Sequence, residues 1–300
     1  MSAVSRLPQS DPLYSRPAPE RPVYATGVLL DADDFSAEQT YHRGRLAQAM
    51  AFLSGGGTLA GLRVSYRPEA DGHAEEIGVA AGLACDRLGR LVELPRPACL
   101  RLSRWWDTIH GDDGDRLRTA AYADPGRFVS ERCAEEAGAL PDRAVVADVF
   151  IRFIACERGY TPSFASGPYD ALDAVATSRL RDAYELLLVP RDGLDDDFHG
   201  LPVPAFQVAD DATAAARRNA MHDALLDTWP EAGDSSSDGT LAPAAEHPVG
   251  MDPTAQFLAR VLLPVLAGDP PGRADAAVVV DNWSRRFVPS SQLLQRWLAP

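Results

Sequence analysis

The chain has 300 residues, 46% of them hydrophobic, with 43 acidic and 29 basic side chains and a net charge of −14. That is ample chain for a buried core in one large or two medium domains. The acidic balance argues against a nucleic-acid binder, which needs a basic face for the phosphate backbone; every basic residue is arginine, and no stretch reaches the apolar length of a membrane span.

Residues 1–24 carry Pro8, Pro12, Pro17, Pro19 and Pro22, with Tyr14 and Tyr24 among them. Prolines at this density block helix and predict an extended arm. Such an arm is either a disordered tail or a strap ordered on a neighbouring subunit, which makes Tyr14 and Tyr24 interface candidates. Only Arg6 precedes the prolines and no apolar run is present, so the N-terminus does not read as a secretory signal and synthesis in the cytoplasm is expected.

Residues 25–100 predict a compact unit, a helix packed on a small antiparallel sheet. Asp33, Asp34 and Ser36 can accept the free backbone N–H groups of a first turn. Phe35, Leu46, Ala49, Met50 and Leu53 can share an apolar face turned to the sheet, with Gln39, Arg43, Arg45 and Gln48 on the wetter side. Gly55-Gly56-Gly57 ends the helix. Tyr41 and His42 read either as a polar contact or proton-transfer pair at a subunit interface, or as a half-buried pair bonded to the sheet; Arg43 is placed to meet a carboxylate of this chain or a neighbour. Leu62, Val64 and Tyr66 alternate as in a strand over Leu59–Tyr66. Ile77 and Val79 lead through the turn residues Asp86 and Gly89 to Leu91, Val92 and Leu94, a hairpin pattern, and the small residues Val79 to Leu83 admit a close backbone or a bulge.

Residues 101–230 predict a second, mixed α/β unit. Leu100–Ile109 is a helix or helical turn; adjacent Trp105 and Trp106 cannot face one way on it, so one is assigned to an edge or interface. A helix is expected from Asp124 or Pro125 to Ala139. Ala144–Cys156 is nearly continuous in β-branched and aromatic residues, as in a strand buried on both faces. Ser178–Val189 alternates at its end and reads as a strand pairing with 144–156, with helix over Arg179–Glu185 as the alternative. Asp210–Trp229 is alanine-rich with alternating charge and predicts a helix. Residues 231–252 read as a flexible linker or long loop. Residues 253–300 predict a C-terminal helical segment: a helix over Pro253–Ala267 kinked at Pro264, a short strand over Ala276–Val280, and a closing helix over Ser290–Leu298. The fold class is therefore α+β.

Four stretches carry a resemblance: GVLLDADDFSAEQTYHRGRL (27–46), GGGTLAGLRV (55–64), GVAAGLACDRLGRLVELP (78–95), and ACERGYTPSF with SRLRDAYELLL (155–188). They resemble a poorly characterised bacterial family with a Leu-Asp-Phe, Gln, Tyr-His helix, a glycine-bounded strand and a Gly-Leu-Ala, Asp, Gly-Arg hairpin. The likeness is closest over residues 27–100 and extends over 145–190. That family is associated with contractile injection systems and phage-tail-like particles. The resemblance implies a baseplate or accessory structural part whose partners are other particle subunits and copies of itself. It carries no catalytic residues to this chain.

Local chemistry points the same way. The glycines at 55–57 and 61 lack a Gly-Lys-Ser/Thr ending and follow a helix, so they read as a turn and not as a phosphate loop. Asp195-Asp196-Asp197 with His199, and Asp112-Asp113-Gly114-Asp115, are acidic loops that read as solvated, with divalent-cation binding as the sharper alternative. Cys85, Cys99, Cys133 and Cys156 contain no CxxC pair and read as reduced thiols. Neither a GxSxG elbow nor an HExxH pair occurs. No cofactor, metal or catalytic set is expected. The alternatives to a structural part are a hydrolase whose site, around His42 or His199, assembles only in space, and a soluble adaptor for cargo or ligand.

Overall fold

The structure is a computed structural model that describes residues 11–15, 18–111, 114–162, 175–203, 208–209, 211–227 and 241–298. Helices and antiparallel sheets mix along the chain, an α+β fold. Pro12–Ser15 is a 3-10 turn, followed by the 22-residue helix α1 (Ala32–Leu53). Asp31, not the expected Asp33 or Asp34, caps α1. Its carboxylate accepts the N–H groups of Asp33 (2.9 Å) and Asp34 (3.2 Å), while the Asp34 carboxylate accepts the Asp31 N–H (3.0 Å). This reciprocal box needs an extended residue ahead of the helix, which Asp31 supplies at φ −119°.

The strands β1 (Gly57–Gly61), β2 (Val64–Arg67), β3 (Glu76–Val79), β4 (Gly82–Cys85), β5 (Leu91–Leu94) and β6 (Ala98–Arg101) form two three-stranded sheets, β1-β4-β5 and β2-β3-β6. The single strand expected over Leu59–Tyr66 is thus split between two sheets. The chain leaves the first at Gly61 (φ +63°) and returns at Gly82. A Cβ on either would lie within 2.3 Å of a backbone oxygen of the other segment, so two main chains pass at contact distance where only glycine fits. The turn Asp86–Gly89 joins β4 to β5.

Next come α2 (Leu102–Gly111), α3 (Asp115–Thr119), β7 (Ala121–Ala123), a 3-10 turn (Pro125–Phe128) and α4 (Glu131–Ala137). The helix expected from about 124 to 139 is broken because Ser130 caps α4 through the Cys133 N–H (3.2 Å) and gives its own N–H to Asp281 (2.8 Å). β8 (Arg143–Pro162) and β9 (Val175–Pro190) make a long antiparallel pair, so Arg179–Glu185 is strand and the helical alternative is not taken. After α5 (Ala214–Asp227), β10 (Gln256–Leu266), β11 (Gly272–Arg273), β12 (Val279–Asp281) and α6 (Ser291–Leu298) complete the chain.

The helix expected over Pro253–Ala267 is instead β10, paired along Gln256–Pro264 with β8 and also with β11 and β12. Ten successive residues, Gln256 to Val265, are buried. A strand covered on both faces loses its alternation, and a short continuous apolar run then looks like a buried helix. Pro264 sits near the strand's end, where its carbonyl still accepts from Ala274 N–H (3.0 Å).

The largest apolar cluster runs from Leu62, Val64, Ile77 and Val92 through Trp106 and Leu117 to Val149, Leu258 and Leu263. Described residues from both 25–100 and 101–280 therefore share one core. β10 reaches only Ile151 on β8, so beyond that point β8 and β9 continue as a two-stranded ribbon, with Tyr160 and Leu180 exposed.

The expected apolar face of α1 does not pack. Phe35, Leu46, Ala49 and Leu53 face solvent, and Ala47 is the helix's buried residue. The helix lies instead on its small-residue side. The β4–β5 turn comes so close that a Cβ on Gly89 would sit 1.7 Å from the Ala47 carbonyl oxygen and 2.9 Å from the Ala51 nitrogen. Small residues admit that backbone approach and large ones would not, so Ala47 and Ala51 go inward and the leucines outward.

Candidate functional site

Three charge clusters hold the interior. In the first, Asp148 and Arg260, both fully buried, form a two-point pair: Arg260 Nε donates to Asp148 Oδ1 (2.8 Å) and Nη2 to Oδ2 (2.9 Å). Arg260 also donates to the carbonyls of Phe128 (3.1 Å), His199 (2.7 Å) and Gly200 (3.2 Å). Arg191 lies on the same carboxylate, Nε at 3.2 Å from Oδ2 outside hydrogen-bond geometry, and donates Nη1 to Glu246 O (2.9 Å). Burial lowers the Arg191 pKa and Asp148 opposes that shift.

The second cluster centres on Arg90. Its Nε donates to Asp86 (2.7 Å), Nη1 to Asp11 (3.0 Å) and Nη2 to Thr254 (3.0 Å), and its guanidinium carbon lies 4.9 Å and 4.6 Å from the Tyr14 and Phe153 ring centroids. Burial works against the Arg90 charge, but Asp86 and Tyr14 outweigh it and raise the pKa. The third cluster ties the C-terminal loop to the first strands. Arg285 donates to Leu62 O (2.8 Å) and Asn282 Oδ1 (2.6 Å), while Asn282 exchanges hydrogen bonds with the Val64 backbone, both 2.9 Å. Burial, with Arg63 adding to it, brings Arg285 down to about 10.

The interface candidates divide. Tyr14 is held by its own chain, donating to Asp252 (3.1 Å), and the 3-10 turn around it buries Leu13. Of the expected extended arm, residues 11–15 are therefore a docked turn, fixed by Asp11 to Arg90 and Arg43, and residues 18–24 form neither helix nor strand; residues 1–10, 16 and 17 lie outside the described residues. Tyr24 is half-exposed and donates to Glu38. Tyr41 is half-buried, its ring edge-to-face with exposed His42, and His42 Nε2 is 3.9 Å from Glu38. Arg43 pairs with Asp11 at 3.1 Å.

Trp106 is 8% exposed and packs in the core of its own chain. Trp105, partly buried against the same core, donates Nε1 to Leu188 O (2.6 Å). The two rings diverge from α2, but both directions meet this chain, one the core and one the β9 backbone.

Of the acidic loops, Asp195 accepts the N–H groups of Asp197 (2.9 Å) and Phe198 (2.7 Å), a local turn, and Asp196 pairs with Arg127 (2.5 Å). Asp112 and Asp113 lie outside the described residues. Among the described residues no group of three or more potential ligands could hold a metal ion, and no helix is long and apolar enough to cross a membrane. Among the described residues, two of the better-formed surface clefts are each about 400 Å³. One is lined by Arg116, Thr119, Asp192 and Met251, the other by Arg67, Glu76 and Cys99. His42 and His199, the expected centres of a hydrolytic site, line neither; the His199 ring stands edge-on to Phe128.

Sequence reading missed the Asp148–Arg260–Arg191 cluster. Its signal was present: one lone acid and one lone base each interrupt an otherwise apolar run, and such a pair of runs suits adjacent strands. It also missed the outward apolar faces of α5 (Met221, Leu225, Leu226) and α6 (Leu293, Leu294, Trp297). Compared with known proteins, the chain matches no family model and no curated protein.

Proposed function

We propose that this protein is a structural part of a phage-tail-like contractile injection particle, seated at or near the baseplate and made in the cytoplasm. Its work is assembly: it presents rigid surfaces to neighbouring subunits and copies of itself, binds no nucleic acid and carries no cofactor. One observation carries this reading. The residues that bear the family resemblance build a seat and an outward helix. Residues 27–46 supply the Asp31 cap and most of α1; 55–64 and 78–95 supply the glycine crossing and the Gly89 turn on which α1 lies. The apolar side of that helix is left exposed by the described residues, as a surface for a neighbouring subunit would be.

The buried clusters support the same reading. Arg90 and Arg285 bind the two ends of the chain to the small sheets, so the platform under α1 is fixed before any neighbour arrives. Intact particles purified from a producing strain and analysed by mass spectrometry should contain this protein in fixed ratio to the sheath. Its consistent absence from intact particles would overturn the assignment.

A further inference from the structure

The solvent side of α1 has a spacing of its own. Phe35, Gln39, His42, Leu46, Ala49 and Leu53 follow one another at intervals of four, three, four, three and four residues, and all six are exposed. In heptad terms Gln39, Leu46 and Leu53 occupy a positions, and Phe35, His42 and Ala49 occupy d positions. Ala47 and Ala51, which touch the Gly89 turn, lie across the helix from this stripe. The Gly89 turn that seats the helix is therefore on the far side, and the described residues leave the stripe open to a second helix.

We propose that α1 pairs in parallel with α1 of a second copy of this chain, forming a short two-stranded coiled coil that makes the protein a dimer. A helix with one buried residue draws little stability from its own chain, and helices in proteins gain most of theirs from packing against a partner. The flanking charges select the partner and its direction. Glu38 is at a g position and Arg43 at the e position five residues on. In a parallel pair each Glu38 faces Arg43 of the other copy, twice by symmetry.

An antiparallel pair in full overlap would place Arg45 against its own symmetry mate, and Arg43 likewise, which is repulsive. Within the chain Glu38 meets Tyr24 and His42 at the surface, and Arg43, itself partly exposed, meets Asp11, which keeps its pairing with Arg90 when Arg43 turns to a partner. Polar Gln39 at an a position has the character of a register-setting residue. This pairing stands or falls independently of membership in a tail-like particle.

The test uses the full chain in sedimentation equilibrium across the micromolar range. The unaltered protein should be dimeric, and Leu46→Glu should make it monomeric with an unchanged far-ultraviolet spectrum. Glu38→Arg or Arg43→Glu alone should weaken dimerisation by about tenfold, and the double reversal should restore it. Ala49→Cys, in a Cys99→Ser/Cys156→Ser background, should cross-link to itself on oxidation, because like d positions meet only when the helices run in parallel. A monomer throughout the range, a double reversal no better than either single change, or an Ala49→Cys protein that does not cross-link would each overturn the proposal.

Discussion

The β8–β10 pair and α1 are built from similar residues and treat them in opposite ways. In the sheet, Leu258, Leu262 and Leu263 are wholly buried, and Arg260 finds Asp148 and three carbonyls inside the chain. On α1, Leu46 and Leu53 are 62% and 85% exposed, and the Arg43 and Glu38 side chains are themselves partly exposed. The sheet pairs its own charges and buries its own apolar side chains, whereas the helix is capped and seated but not covered by the described residues. Exposed leucines scattered singly need no explanation; a row at heptad spacing opposite the docked side does. Closed and exposed apolar surface are thus placed in different elements of one fold.

The sharpest way to break this contrast is to remove a partner inside the sheet. Asp148→Ala leaves Arg260 and Arg191 buried beside one another with no carboxylate between them. Equilibrium unfolding in urea should show a loss of about 3–5 kcal/mol, or no soluble protein. Leu262→Ala opens a cavity in a strand covered on both faces and should cost about 2–5 kcal/mol by the same measurement. A loss below 1 kcal/mol for either would mean that the sheet is not the rigid part.

How much of this was legible depended on periodicity. The long strand over 144–156 and the α1 helix announced themselves, the first by continuous β-branched and aromatic residues and the second by its acidic start, its apolar spacing and the glycines from Gly55 that end it, although the cap itself falls on Asp31. β10 did not, because burial on both faces erases the alternation that marks a strand. The direction of α1 was misread for a different reason. An apolar stripe says which side wants covering, not what covers it, and the small residues Ala47 and Ala51 that decide the docked side carry almost no hydropathy signal. The charge clusters needed the fold, since Asp148 and Arg260 are 112 residues apart.

Gly89 is where the two regions touch, and altering it should separate them. Its φ is +86° and a Cβ would meet the Ala47 carbonyl. Gly89→Ala should therefore cost more than about 1 kcal/mol and selectively speed amide hydrogen exchange in α1, leaving β8 and β10 protected. Equal loosening of helix and sheet would show that the seat is not local.

Acid provides a smaller perturbation. His247 Nδ1 accepts the Ala244 N–H (2.9 Å), so Nε2 carries the proton and donates to Ala255 O (2.9 Å) beside the start of β10. Burial lowers its pKa, which means the unfolded chain takes up a proton first as pH falls. The contribution is present above about pH 6.5 and is lost as pH drops from there through the lower folded value. Stability measured against pH should fall less steeply in this window for His247→Gln; an unchanged slope would assign the acid response elsewhere.

The smallest expected effect is also the most discriminating. Leu53→Ala removes as much side chain as Leu262→Ala, yet at high dilution it should change stability by no more than about 0.5 kcal/mol. The leucine is 85% exposed and leaves no cavity. Concentration then separates the two regions. A paired α1 stabilises the fold by mass action, so the melting temperature of the unaltered chain should climb with protein concentration and that of Leu53→Ala should climb less. Leu262→Ala should lower the melting temperature at every concentration without altering the slope. A Leu53→Ala curve parallel to that of the unaltered chain would place the stripe's partner outside this chain and its copies.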